Sequence, residues 1–335
     1  MKTEILPTHT AALFDTAVAR AAELLRAGEL VVLPTETVYG LAANAWNSEA
    51  VRRIFAAKCR PAENPVIVHV ASLEMAKRCT LHWTEAADRL AKAFWPGPLT
   101  VVVPRSMEIP DTVTAGGATV GIRWPSHPFI QAVIRSCNFP LAAPSANRSS
   151  EVSPTNAAHA LTSLGGRVSL IVDGGQSQVG IESTVIDVSQ SPARVLRPGM
   201  IHEGSLAAAL GEEPLRGAEA DGVLRSPGLL RKHYAPKAKL VILRWRDEDD
   251  LARQVARFRT ARDEIHIVAH SVIPLREKFG RVSVVPHDAE AFARALYAEL
   301  RQCDEARAGL IVVEAPPAEP VWAAISDRLA RASSE

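Results

Sequence analysis

Short apolar runs separated by Gly, Pro and Thr dominate the first part of the chain, and their spacing predicts the elements. Residues 17–27 (AVARAAELLRA) repeat small and apolar side chains at helical spacing and stop before Gly28, which predicts a helix with a glycine end. ELVVLPTETVYGLAANA begins as a buried strand, breaks at Pro34 and runs on through a Thr-rich polar loop. Residues 48–57 (SEAVRRIFAA) predict a second helix with Ser48 as its N-cap. Then come the strand PVIVHV, helical SLEMAKRC and TEAADRLAKAF, the strand LTVVVP, a glycine-rich turn with the short strand GGATVGIRWP, and the helix HPFIQAVIRSC. PLAAPSAN, SLIVDGG and STVIDV add further strands. This irregular alternation predicts an α/β domain with a twisted mixed sheet over residues 1–211.

Beyond it the pattern changes. Residues 212–238 are rich in Gly, Pro and charge with little periodicity, and are expected to be an interdomain linker. KLVIL, IHIVAH, VSVVPH and GLIVVEAP then alternate with charged helical segments. That regular alternation predicts a small open parallel sheet over residues 239–335.

Composition adds exclusions. The 335 residues carry a net charge of +1, too balanced for a protein whose main work is wrapping duplex nucleic acid. The four cysteines include no Cys-x-x-Cys pair, so neither a zinc site nor a disulfide framework is signalled. The opening MKTEILPTHTAAL lacks an apolar signal core, and the chain is expected to be cytoplasmic with no membrane segment.

Candidate chemistry sits where apolar runs end. Lys58 and Arg60 stand in KCRPAENPVIVHV, just ahead of the Asn64-Pro65 break and the strand carrying His69. They are either ordinary helix-end charges or cations aimed at an anion. Thr35 and Thr37 place hydroxyls at a strand end, where α/β folds present ligands. Arg123 follows a short strand, and its guanidinium suits two-point binding of a carboxylate. In APSAN, Pro144 and Ala146 occupy the glycine places of a nucleophile elbow, so Ser145 reads as a hydrogen-bonding group with Asn147. Ser183, Thr184 and Arg197 lie at further strand edges. The glycine-rich phosphate loop and the dinucleotide fingerprint are both absent from the sequence. Dispersed polar and basic groups ending several strands point to one concave, positively charged site.

PTETVYGL, KCRPAENPVIVHV, FWPGPLTVVV, GIRWPSHP, APSANRSSEVSPT, GGQSQVGIESTVIDV and LRPG stand in the order and approximate spacing of the YrdC-like threonylcarbamoyl-AMP synthases, which the chain resembles over residues 15–205. SPGLLRKHYAPKAKL is similar to the linker of the long, two-domain form, which joins a Rossmann-like C-terminal domain. Cys59 and Trp124 depart from the expected pattern.

The resemblance implies that L-threonine, bicarbonate and ATP give threonylcarbamoyl-AMP and pyrophosphate, the first step of threonylcarbamoyladenosine formation in tRNA. It places Lys58 and Arg60 against the ATP phosphates with Mg²⁺ carried by those phosphates. It puts Thr35, His69, Arg123, Ala143 and Ser183 at threonine, with Thr37 beside them. Asn64, Thr119, Ser145, Asn147, Ser153, Arg197 and Tyr234 go to the nucleotide, and the linker closes over the site. It further implies a separate transferase that modifies tRNA, with weak RNA contact open. The rival readings are an RNA-binding module on the basic surface, or another carbamoyl or adenylyl transferase of the hydrogenase-maturation type.

Overall fold

The apolar runs of the first part of the chain pair into one mixed sheet, seen in a computed structural model. It describes residues 2–217, 234–276 and 278–333. The strands are β1 (Glu4–Pro7), β2 (Val31–Leu33), β3 (Gly40–Asn44), β4 (Val68–His69), β5 (Leu99–Pro104), β6 (Thr119–Arg123), β7 (Leu141–Ala142), β8 (Leu170–Asp173), β9 (Thr184–Asp187), β10 (Arg194–Arg197) and β11 (Leu215–Arg216). Their order is β1-β8-β2-β3-β7-β4-β6-β5-β9-β10-β11. β11, inside the stretch expected as linker, pairs in parallel with β10.

Strand periodicity divides the core into two faces. Val32, Leu41 and Ala43 point to one side with Val68, Val101 and Ile122. Val31, Leu33 and Ala42 point to the other, where the helices Ala11–Arg26 and Pro128–Cys137 bring Ala17, Ala21, Leu25, Phe129 and Val133. The small residues on the first of these helices let its backbone lie close to the sheet.

The helix Ser48–Lys58 corrects one expectation. Its N-cap is Asn47, whose Oδ1 accepts from the backbone N–H groups of Glu49 and Ala50 at 3.0 and 3.1 Å, while Ser48 starts the helix proper. An amide oxygen one residue earlier reaches both orphan donors, leaving the Ser48 hydroxyl to pair with Thr112 at 3.2 Å.

The second sheet comprises β12 (Lys239–Leu243), β13 (Ile265–Ala269), β14 (Arg281–Val284) and β15 (Leu310–Glu314), all parallel in the order β12-β15-β13-β14. Helices Glu248–Val255 and Ala289–Glu305, capped by Asp247 and Asp288, provide crossovers. The expected α/β class therefore holds, with a large mixed sheet and a small parallel one. The chain forms two compact units, Met1–Ser149 with Ser153–Leu229, and Ser150–Val152 with Leu230–Glu335. Residues 218–233, most of the proposed closing linker, lie outside the described residues. Among the described residues no helix is long and apolar enough to cross a membrane.

Candidate active site

The middle of the first sheet collects the candidate groups. β4 runs between β7 and β6, so His69 is in register with Leu141 on one side and Arg123 on the other. Arg123 in turn faces Thr100 across the antiparallel β5–β6 pair. β9 runs parallel to β5 and brings Ser183, the residue before it, to Thr100, with their hydroxyl oxygens 2.8 Å apart. Arg197 secures this corner through Nε and Nη2, which donate to the Ser183 carbonyl at 3.1 and 3.0 Å, and Nη2 also reaches Ser183 Oγ at 3.2 Å.

The loop PTETVYG is folded by its own hydroxyls. Thr35 Oγ1 accepts from the N–H groups of Thr37 and Val38 at 3.2 and 3.3 Å and donates to the Val38 carbonyl at 2.6 Å, a hydroxyl-stabilised turn. Tyr39 anchors the loop to the end of β8: its phenol donates to the Gly175 carbonyl at 2.6 Å and accepts from Gly174 N–H at 3.1 Å. Gly174 is required there, since a Cβ would lie 2.7 Å from Pro34 Cγ.

Within this loop Glu36 and Arg123 are both buried, with 3% and 4% exposure, and Arg123 Nη2 lies 2.8 Å from Glu36 Oε1. Arg123 Nη1 donates to Thr37 Oγ1 at 2.8 Å and Nε to the Gly97 carbonyl at 3.4 Å. Burial works to raise the Glu36 pKa, but the Arg123 charge and hydrogen bonding outweigh it and hold the carboxyl below its usual range. His69 is driven the other way: burial first, then the Arg123 charge, lower its pKa to about 3 against a smaller opposing effect of Glu36. The imidazole is therefore neutral at physiological pH, a hydrogen-bonding wall and not a store of positive charge.

Lys58 and Arg60 flank a helix end. Cys59 takes the left-handed conformation at φ 51°, and the N–H of Arg60 returns to the Phe55 carbonyl at 3.0 Å. The buried Lys58 ammonium donates to the carbonyls of Ser145 and Asn147, tying the helix end to the APSAN loop. Arg60 donates to the carbonyls of Asn64 and Pro65 at 3.1 and 2.7 Å. The APSAN loop is also pinned from above, because Leu41 N–H donates to the Pro144 carbonyl at 2.7 Å and Ala146 N–H to the Tyr39 carbonyl at 2.8 Å. Ala143 N–H donates to Ile67 O at 3.0 Å, and Asn147 Nδ2 to the Arg148 carbonyl at 2.8 Å. Thr119 lines a small concavity with Pro65, Ile67, Thr100 and Thr114.

Thirteen of the fourteen binding residues expected from sequence, together with Thr37, thus fall in the first unit; the fourteenth, Tyr234, falls in the second. There its ring is buried, stacks on Tyr297 at 5.9 Å between centroids, and faces the Arg328 guanidinium at 5.3 Å. Four groups escaped the sequence reading: Glu36, Thr100, Tyr39, and Glu182, which accepts from Ser153 Oγ at 2.6 Å. The available signal for Glu36 was its place between two threonines in a segment flanked on both sides by apolar residues.

Beside the Glu36–Arg123 pair, His69 Nδ1 and both amide atoms of Asn64 are buried without a hydrogen-bond partner among the described residues. Buried polar atoms are normally paired, so these groups keep capacity for further polar contacts.

Comparison with known proteins identifies the family. A family model described as "Telomere recombination", for the Sua5, YciO and YrdC proteins, matches residues 23–199. A model described as "Threonylcarbamoyl-AMP synthase, C-terminal domain" matches residues 194–334. The threonylcarbamoyl-AMP synthase of Pyrococcus abyssi is 37% identical over 320 residues, 93% of each chain. That of Bacillus subtilis is 39% identical over 329 residues, 95% of this chain and 93% of the relative. The crystal structure of Pyrococcus abyssi Sua5 complexed with L-threonine is similar with a TM-score of 0.90 and 34% identity, covering 99% of this chain and 98% of that one.

Proposed function

This chain belongs to the Sua5, YciO and YrdC family of threonylcarbamoyl-AMP synthases, and from that premise we propose that it converts L-threonine, bicarbonate and ATP to threonylcarbamoyl-AMP and pyrophosphate. The observation that carries the assignment to this site is the buried Arg123, fixed by Gly97, Thr37 and Glu36 at the centre of the sheet, beside a neutral His69 with an open Nδ1.

The chemistry divides into two bond-forming steps. Threonine's amine loses its extra proton and forms a C–N bond with the carbon derived from bicarbonate, with loss of water. A carbamate oxygen then attacks the α-phosphorus of ATP and pyrophosphate leaves. Two anions must approach each other in the second step, so buried cations are needed to offset their repulsion. Lys58 and Arg60 fill that role, already rigid because backbone carbonyls hold them. Arg123 grips the threonine carboxylate, with Thr35, His69, Ala143 and Ser183 as pocket walls. Asn64, Thr119, Ser145, Asn147, Ser153 and Arg197 serve the nucleotide, joined by Tyr234 as the linker closes. Mg²⁺ would come with ATP and offset phosphate charge; the buried acids here, Glu36 facing Arg123 and Glu182 facing Ser153, are engaged with protein partners. Positioning and electrostatics supply the rate enhancement, and a labile product calls for a closed site. A separate transferase would carry the group to tRNA.

A substrate panel tests the reading. Labelled bicarbonate is expected to enter a product containing both threonine and AMP, with free threonine required and serine, which lacks threonine's methyl group, used less well. Labelling that needs carbamoyl phosphate in place of bicarbonate, or ignores threonine, contradicts it.

A further inference from the structure

Arg123 and Glu36 form a close pair that nevertheless leaves both partners with open hydrogen-bonding capacity. A guanidinium has five N–H groups. Gly97 O and Thr37 Oγ1 occupy one on Nε and one on Nη1, and Nη2 faces Glu36 Oε1 at 2.8 Å, which leaves N–H capacity on both terminal nitrogens. The Glu36 carboxylate has about four acceptor positions, takes hydrogen bonds from Arg123 and from the backbone at Ser126 and at Glu36 itself, and keeps acceptor capacity beyond them. Buried side by side, the pair thus presents unused donors next to unused acceptors. An α-amino acid presents the complement: a carboxylate acceptor and an ammonium donor on adjacent atoms of one small molecule.

We propose that Glu36 is a specificity-determining residue, which makes the buried pair a receptor for a zwitterionic amino acid and against carboxylic acids lacking the α-amine. The inference rests on the function proposed above and adds a residue to it. The charge balance supports it independently of any single contact. The Glu36–Arg123 pair is neutral as a unit, so a zwitterion enters without adding net charge to a dry site. A deaminated acid brings a second carboxylate to face one guanidinium, and that like-charge approach is opposed by the Glu36 carboxylate. His69 cannot relieve it, being held neutral by burial and by the Arg123 charge.

The test is calorimetric binding of threonine, 3-hydroxybutanoate (threonine without its amine) and threoninol (threonine without its carboxylate) to the full-length protein. Wild type should prefer threonine over each analogue by roughly tenfold or more. In Glu36→Gln, threonine should weaken while 3-hydroxybutanoate holds or strengthens, shrinking the preference by roughly tenfold or more. Glu36→Asp, which keeps the charge on a shorter arm, should retain the preference with weaker binding overall. Equal weakening of threonine and 3-hydroxybutanoate in Glu36→Gln would reduce Glu36 to a structural support and overturn the proposal. So would a wild type that binds 3-hydroxybutanoate as tightly as threonine, a result that needs no variant to fold. A wild type that binds threonine but fails either comparison sinks only this inference; one that binds no threonine sinks the proposed function as well.

Discussion

Truncating Arg123 to alanine is expected to destabilise the protein by about 3–5 kcal/mol and to abolish measurable threonine binding. The stability loss comes from what remains behind. Glu36 is 3% exposed and depends on Arg123 to stay ionised despite burial. Without the guanidinium its carboxylate would be buried and uncompensated, and the Thr37 hydroxyl would lose its 2.8 Å donor. The pH dependence follows from the sign of the shift. In wild type the depressed Glu36 pKa contributes stability that is present above the ordinary carboxylate value, about 4.3, and is lost as pH falls through the lower folded value. In the variant burial, the largest influence, is opposed only by backbone hydrogen bonds from Ser126 and Glu36 itself, the folded pKa rises, and protonation at falling pH relieves the strain. The deficit between variant and wild type should therefore be largest near neutrality and shrink on acidification, first above about pH 4.3 as the variant's carboxyl protonates and then below it as wild type loses its own contribution. Chemical denaturation at several pH values measures it; a deficit that is flat with pH would separate Arg123 from Glu36 energetically.

Replacing Lys58 with alanine is expected to lower kcat by about 10²–10³-fold, the effect of removing one preorganised electrostatic group. The ammonium is buried at the end of its helix and donates to the carbonyls of Ser145 and Asn147, so its loss acts twice. It removes a cation from the proposed phosphate site and releases the loop that carries Ser145 and Asn147. Threonine affinity should change far less than turnover, because the Lys58 ammonium is tied to the Ser145 and Asn147 carbonyls while Arg123 is held by Thr37, Gly97 and Glu36. A kcat within about threefold of wild type would move Lys58 from the reaction to loop support.

Much of this was legible in the chain because apolar runs have a period. The β-rich runs of the second unit alternate with amphipathic helices, and that local regularity predicts a parallel sheet, as found. The strand order of the first sheet was not legible, since β1 pairs with β8 more than 160 residues away and β3 with β7 across most of the site. Pairings at such separations leave no local period. Thr35, Lys58, Arg60, Arg123, Ser145, Asn147, Ser183 and Arg197 stand out because they lie where apolar runs end, Ala143, Thr119, Ser153 and Tyr234 are named only through the family resemblance, and the partners of none of them are legible. Glu36 is not singled out by the sequence, because its partner Arg123 lies 87 positions later and only the fold places it there. Thr100 is hidden in the apolar run LTVVV, where only its register opposite Arg123 gives it meaning. Asn47 displaced Ser48 as a cap because both are good caps and only geometry chooses between them.

The most direct test of the central claim is pyrophosphate release from MgATP by the purified protein, with threonine and bicarbonate each supplied or withheld. Release that requires both co-substrates is the predicted result. Release indifferent to threonine, or none from a folded protein supplied with all three, would contradict it.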